Sequence, residues 1–470
     1  MLRQNTFWVI VLSVFCVLIL PDLLAEGMFL DGIIYSAIAR NLSIGNGTLW
    51  NLIFIETLSG PDGSNTFAGH PSPGFWIQAL FFMALGDHAY TENIYSLFTC
   101  IINVFMIKLI WQTIQINSMS KKMSWLPILL WIIVPVTYWS FSNNLLENTM
   151  SIFCLASIYF YIKWITKPQL IWITLSALFI ILSALTKGPV GLFPLAAPLA
   201  NFIATKHFGF FHFLRDQFYL LGISLVFGSS LFLHPPAVNS LMTYLDVQIL
   251  NSLANVSTVD SRFQLLSTLL AELWYVMLSA ALIIYFVKKN QTKPEVSEKN
   301  WSNFFLILGL FASLPIMISL KQRSFYLLPS IPFFSLWIAL ILRPYVLPLL
   351  LKHKLFFETK IWTRFVPIFV VIAGIAIITL RIPYENRDQL KLETVMLVGE
   401  KIGKNQLLSC SRNTYADWSL TAYFQRKYCI STDHLKLNKY YLYNKTTEVT
   451  PPPGYNSIIL ETNQYSLFKK

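Results

Sequence analysis

Long apolar runs separated by short polar connectors fill most of the first 380 residues. Eleven such runs lie near 7–25, 92–112, 124–141, 145–164, 169–186, 189–205, 216–234, 265–287, 302–320, 325–343 and 362–381. Each approaches the length an α-helix needs to cross the hydrocarbon core of a bilayer. The pattern predicts an all-α polytopic membrane protein with about eleven spans over residues 1–382.

The apolar piece at 72–86, SPGFWIQALFFMALG, is shorter and is flanked by His70 and Asp87. Its length suits an interfacial or re-entrant helix. With that piece on one side of the membrane, the loops holding Lys121/Lys122, Lys163/Lys167, Lys206/Arg215, Lys288/Lys289/Lys293/Lys299 and Arg343/Lys352/Lys354/Lys360 all share a face with Arg3. Basic loops mark the cytoplasm. The expected topology is therefore a cytoplasmic N-terminus, a first outer loop over 27–91 carrying amphipathic juxtamembrane helices, and an outer C-terminus. The first run, with Arg3 before it and LLA at 23–25, is expected to remain as a span and not to be cleaved.

From about 383 the chain turns polar. Around LLSC and NSIILET it reads as short strands, and ADWSLTAYFQRKY reads as an amphipathic helix. Residues 383–470 are thus expected to form a small soluble α/β domain on the outer face. Cys410 and Cys429 flank that helix, and disulfides persist outside the cytoplasm, so a bridge between them is expected. Cys16, Cys100 and Cys154 fall in spans and read as buried apolar thiols. No His/Cys cluster has metal-ligand spacing; no cofactor is expected, with a divalent metal left open.

Composition agrees with the pattern. The 470 residues are 55% hydrophobic and only 12% charged, half the charge usual in soluble domains. The net charge of +12 sits in loops between spans, without the aromatic interleaving of a nucleic-acid surface, so nucleic acid is excluded as a partner.

Few charges remain on the outer side. Asp31, Arg40, Glu56, Asp62 and His70 lie in the first outer loop, Glu147 in SFSNNLLENTM, Lys187 in SALTKGPVGLF, Arg262 in the loop 235–264, and Lys321 and Arg323 in SLKQRSFYLLPSIP. The outer cations run against the positive-inside bias. Each taken alone can snorkel to lipid headgroups. Together, Lys187, Lys321 and Arg323 suit a phosphate clamp, and an anion at that depth suggests a lipid phosphate. Asp31 is the candidate general base, with plain helix capping as the alternative.

The motifs in order resemble the GT-C superfamily of membrane glycosyltransferases, near the protein O-mannosyltransferases and the lipid A aminoarabinose transferases. Asp31, Tyr35, Ala39 and Arg40 match the acidic first motif. GHPSPGFW at 69–76, LTKGPVG at 185–191 and QRSFYLLP at 322–329 match three others. The resemblance implies inverting transfer of a sugar from a polyprenyl-phosphate donor to an acceptor hydroxyl. That acceptor would be a glycolipid, polysaccharide or protein Ser/Thr at the periplasmic face of a bacterial inner membrane, an ER lumen being the other setting. It implies Asp31 as catalytic base, Lys187, Lys321 and Arg323 on the donor phosphate, and Glu56, His70, Tyr35, Glu147 and Tyr326 around the sugar or acceptor. Many relatives carry Asp-Glu at the first motif; here Gly32 follows Asp31, so Asp31 acts alone or Glu56 substitutes. A flippase or secondary transporter of a lipid-linked sugar is the alternative function. Against it stand the absence of an internal repeat and the crowding of charges at one face.

Overall fold

The structure, a computed structural model, describes residues 5–57, 65–205, 209–289, 299–381 and 387–470. Asp62, Lys206 and Lys293 lie outside the described residues. Nine described helices are long and apolar enough to cross a membrane: Asn5–Leu24, Thr91–Ile114, Leu146–Thr166, Leu170–Lys187, Phe210–Leu233, Gln264–Lys289, Asn300–Ile318, Ser324–Lys352 and Ile361–Leu380. The chain is an integral membrane protein.

Two of the eleven expected spans take another form. The run 124–141 is a pair of helices, Ser118–Ile132 and Pro135–Ser142, bent by 78°. Pro135 has no N–H to continue the first helix and its ring obstructs the preceding turn, so the break falls there. Counted as one span, the pair makes ten. The run 189–205 becomes a 3₁₀ helix, Pro189–Ala196, followed by an α-helix, Ala197–Ala204. It is too short to span by residue count alone, yet 3₁₀ geometry rises faster per residue, and the two pieces sum to about 28 Å. The piece at 72–86 forms the 13-residue helix Pro73–Leu85, also shorter than a span.

The chain divides into two compact units. The first comprises Met1–Leu23, Ser96–Ser142 and Leu146–Pro383 and holds most of the span residues. Several of its buried polar groups pair across helices. Asn103 donates to Asn148 O at 3.0 Å, the Ser157 and Ser176 hydroxyls meet at 3.1 Å, and Arg343 donates to Gln115 Oε1 at 2.7 Å. Such pairing is required where no water reaches.

The second unit joins Leu24–Tyr95, Asn143–Leu145 and Tyr384–Lys470. Its C-terminal portion carries a five-stranded mixed sheet. Strand Leu407–Cys410 pairs in parallel with Ser431–Asp433 and Tyr440–Asn444; Tyr465–Lys469 runs antiparallel to Tyr440–Asn444 and to Ser457–Glu461. Helices Gln389–Ile402 and Trp418–Tyr428 complete it. The amphipathic helix and the LLSC and NSIILET strands are where the pattern put them.

Helix Leu30–Ser43 packs against both Pro73–Leu85 and Trp418–Tyr428. Its Arg40, 1% exposed, donates to Gln425 O and to the Cys429 thiol. This replaces the headgroup contact expected of Arg40. Arg426, 3% exposed, donates to Asp87 at 2.6 Å, to Glu92 at 3.1 and 2.7 Å and to His88 O at 2.8 Å. These charges raise its pKa against the opposing effect of burial.

The expected Cys410–Cys429 disulfide is absent; both thiols are free. Strand register explains why. Leu407 pairs with Ser431, which sets Cys410 level with His434, five residues past Cys429. The Cys429 thiol, at the left-handed residue that ends helix Trp418–Tyr428, instead receives the Arg40 guanidinium. Cys410 is buried, and burial pushes its thiol up to about 12.

Candidate active site

The sequence-predicted residues fall into two clusters, one in each unit. In the second unit Asp31 stands in the first turn of helix Leu30–Ser43. The cap position belongs to Phe29, so Asp31 does not cap the helix. Phe29 N–H donates to Asn143 Oδ1 at 2.7 Å, and Met28 N–H donates to Tyr423 Oη at 2.9 Å. The half-buried Asp31 carboxylate makes no hydrogen bond or ion pair among the described residues. A free carboxylate in the positive field of a helix N-terminus can accept a proton from a substrate.

Gly32 has a steric cause. A Cβ there would lie 2.0 Å from Asn143 O. Both groups are backbone, so neither yields easily. An acid at this position cannot fit without displacing the Asn143 segment.

One helical turn beyond Asp31, the buried Tyr35 places its hydroxyl 2.9 Å from His70 Nε2 and its ring edge-on to Phe75. The structure thus unites Tyr35 and His70. Trp76 Nε1 donates to Leu49 O at 2.7 Å. Glu56 is exposed. Its backbone N–H donates to Ser431 Oγ at 3.2 Å, while its carboxylate has no partner among the described residues. Asn41, part of a glycosylation sequon, is 1% exposed with its amide on Ile53 O and Phe54 O, so it is closed to modification.

In the first unit Lys187 ends helix Leu170–Lys187 and is 8% exposed. It forms an ion pair with Glu147, 1% exposed, in the first turn of Leu146–Thr166. Its ammonium lies 5.4 Å from the Phe325 ring centroid and 5.6 Å from that of Tyr326. Two motifs distant in sequence, LTKGPVG and QRSFYLLP, therefore meet at one cation. Gly188 turns at φ +86°, and a Cβ there would fall 2.0 Å from the Tyr244 hydroxyl, which donates to Lys187 O at 3.3 Å. Only glycine serves at that turn.

Lys321 and Arg323 lie on the extended segment before the 3₁₀ helix Ser324–Ser330. Lys321 Nζ donates to Ser252 Oγ at 3.1 Å. Arg323 is exposed, its guanidinium unpaired among the described residues. The buried Gln322 between them ties this segment to the loop 251–262. It donates to Thr258 Oγ1 at 2.9 Å through its backbone and to Arg262 O at 3.0 Å through its side chain. Sequence reading missed Asn143, Asn144, Tyr244 and Ser252. The signal for the first two was the polar run SFSNN between apolar stretches.

Comparison with known proteins follows this geometry. The family model of dolichyl-phosphate-mannose-protein mannosyltransferases matches residues 69–234, which include His70, Glu147 and Lys187. ArnT from Cupriavidus metallidurans, in a crystal structure bound to undecaprenyl phosphate, superposes with a TM-score of 0.67 at 11% identity. The match covers 99% of this chain and 98% of that one. The chain has the fold of the GT-C membrane glycosyltransferases. Apo ArnT gives a TM-score of 0.66 at 11% identity over 97% of this chain and 95% of that one. The archaeal oligosaccharyltransferase AglB from Archaeoglobus fulgidus, in complex with an inhibitory peptide and a dolichol-phosphate, gives 0.52 at 11% identity. That match covers 94% of this chain and 70% of AglB. No protein of curated function matches the sequence. Among the described residues, no group of three or more His, Cys, Asp or Glu could hold a metal ion.

Proposed function

We propose that the protein is an inverting glycosyltransferase that moves a sugar from a polyprenyl-phosphate donor to an acceptor hydroxyl. The observation that carries this reading is the Asp31 carboxylate, without a hydrogen-bond or ion-pair partner among the described residues and fixed at a helix N-terminus, in a chain with the GT-C fold. The undecaprenyl phosphate of ArnT and the dolichol-phosphate of AglB support a lipid-phosphate donor.

The chemistry is a single displacement. Asp31 accepts the acceptor's hydroxyl proton as its oxygen attacks the anomeric carbon. The bond from that carbon to the phosphate oxygen breaks, leaving polyprenyl phosphate with one more negative charge. Lys187, Lys321 and Arg323 neutralise that charge, the term that usually contributes most to such a barrier. Tyr35, His70 and Tyr326 orient the sugar and the acceptor, Glu56 supplies negative charge, and Glu147 holds Lys187 through their ion pair. The acceptor lies on the periplasmic face of a bacterial inner membrane.

The test uses the full chain reconstituted in vesicles with a panel of radiolabelled undecaprenyl-phosphate sugars. Asp31→Asn should lower transfer about 10²- to 10⁴-fold, the usual range for loss of a general base. Binding of undecaprenyl phosphate should be unchanged. A fully active Asp31→Asn protein refutes the proposal, and movement of donor across the vesicle without release of undecaprenyl phosphate would identify a flippase instead.

A further inference from the structure

We infer that Asn143 and Asn144 are positioning residues for Asp31, two amides of opposite polarity that fix the first turn of its helix. This rests on Asp31 being the base.

Four observations converge on the pair. Asn143 Oδ1 accepts Phe29 N–H at 2.7 Å. Asn143 O packs against Gly32 so closely that a Cβ would sit 2.0 Å away. Asn144 Nδ2 donates to Gly32 O at 3.2 Å and to Ser36 Oγ at 3.0 Å. Residues on either side of Asp31, and the turn that follows it, are thus held by one two-residue segment. The partners fix which end of each amide points where, because Phe29 N–H can only donate and Gly32 O can only accept.

The segment keeps this arrangement against local cost. Asn144 sits at φ +47°, in the left-handed region that side chains other than glycine rarely adopt. Its Oδ1 is buried with no hydrogen-bond partner among the described residues. A left-handed residue and an orphaned buried oxygen are each unfavourable. Backbone strain of this kind persists where the surroundings impose it, and it concentrates at working sites. Here the group held is a carboxylate that makes no hydrogen bond or ion pair among the described residues. Its aim therefore depends on the backbone that carries it.

The polarity argument supplies the test. Asn143→Asp keeps an oxygen for Phe29 N–H, whereas Asn144→Asp removes the amide donor to Gly32 O and leaves the Ser36 hydroxyl, at 2.8 Å, as the side-chain donor there. Both add one negative charge beside the same turn, so a difference between them reports hydrogen-bond direction and not charge. On the donor that the wild-type vesicles use best, Asn143→Asp should keep kcat within about threefold. Asn144→Asp should lose about 10- to 100-fold in kcat with KM for the donor unchanged, the scale of a small misplacement of a reacting group. Asn143→Ala should fall like Asn144→Asp, and Asn143→Asp is its rescue. Gly32→Ala covers the case in which an Asn144 variant fails to fold. Alanine favours helix by about 1 kcal/mol over glycine, so a loss of kcat there reports the clash with Asn143 O. Equal kcat for the two Asp variants, or an effect on KM alone, overturns the inference while leaving the base assignment intact. An active Asp31→Asn protein overturns the base assignment itself.

Discussion

Lys187 carries two demands at once, and separating them is the most direct check on its role. Its ammonium is paired with Glu147 in a place where the two residues are 8% and 1% exposed. Lys187→Met keeps the apolar stem but takes the ammonium away from the Glu147 carboxylate. Breaking a buried pair by removing one partner costs about 3–5 kcal/mol, mostly from the uncompensated charge that is left. The double change Lys187→Met/Glu147→Gln leaves no charge. Replacing a buried pair by neutral groups of similar size is often neutral or stabilising, so stability should return to within about 1 kcal/mol of wild type. Transfer should not return. The proposed phosphate contact needs a cation, and the Phe325 and Tyr326 rings near Lys187 cannot supply one. Detergent-solubilised variants measured by thermal unfolding, beside transfer in vesicles, give both readouts on the same protein. Glu147→Gln alone should keep transfer, because the cation stays. A stable double variant with wild-type transfer would show that Lys187 serves packing alone and that the donor phosphate is held elsewhere.

Two further outcomes follow from the second unit. Burial raises the Asp417 pKa, but the Lys391 and Ser419 hydrogen bonds, the Lys391 charge and the Leu420 amide outweigh it and hold the carboxyl below its ordinary value. A depressed carboxylate stabilises the fold above the ordinary value near 3.9 and loses that contribution as pH falls through the folded value. Helix Trp418–Tyr428, which Asp417 caps, should therefore gain hydrogen-exchange rate on acidification below about pH 4. Asp417→Asn should flatten that dependence. Separately, Cys410 and Cys429 should both be alkylated after unfolding without reductant and yield no linked peptide by mass spectrometry. A crosslinked Cys410–Cys429 peptide would contradict the strand register.

The membrane architecture was legible because a bilayer leaves little choice. Long uncharged runs must form helices, and the pattern shows it directly. The exceptions were local. Whether Pro135 bends a span, or Pro189 tightens one into 3₁₀ geometry, depends on which neighbouring groups receive the freed carbonyls, and spacing does not record that. The disulfide failed for a related reason. Two cysteines flanking a helix look close along the chain. The parallel pairing of Leu407–Cys410 with Ser431–Asp433 sets them five residues out of register, and strand order is set by contacts between segments distant in sequence.

Gly32 shows how far a motif can be read without coordinates. Beside Asp31 it looked like a missing acid, a departure that weakened the assignment of the base. In the structure the same glycine is where the backbone of Asn143 comes against the helix. The two readings make opposite demands. If the acid were merely lost, restoring it as Gly32→Glu would help or do nothing. If the glycine is what lets Asn143 and Asn144 hold the turn, the larger side chain must push their backbone away and carry Asp31 off its line. The second reading joins the missing acid, the left-handed Asn144 and the orphaned Asn144 oxygen in one cause. The first leaves three unrelated oddities within one clamp. A second acid at the first motif and this chain's asparagine pair would then be alternative supports for the proposed base, and only one of them can occupy the space next to Asp31.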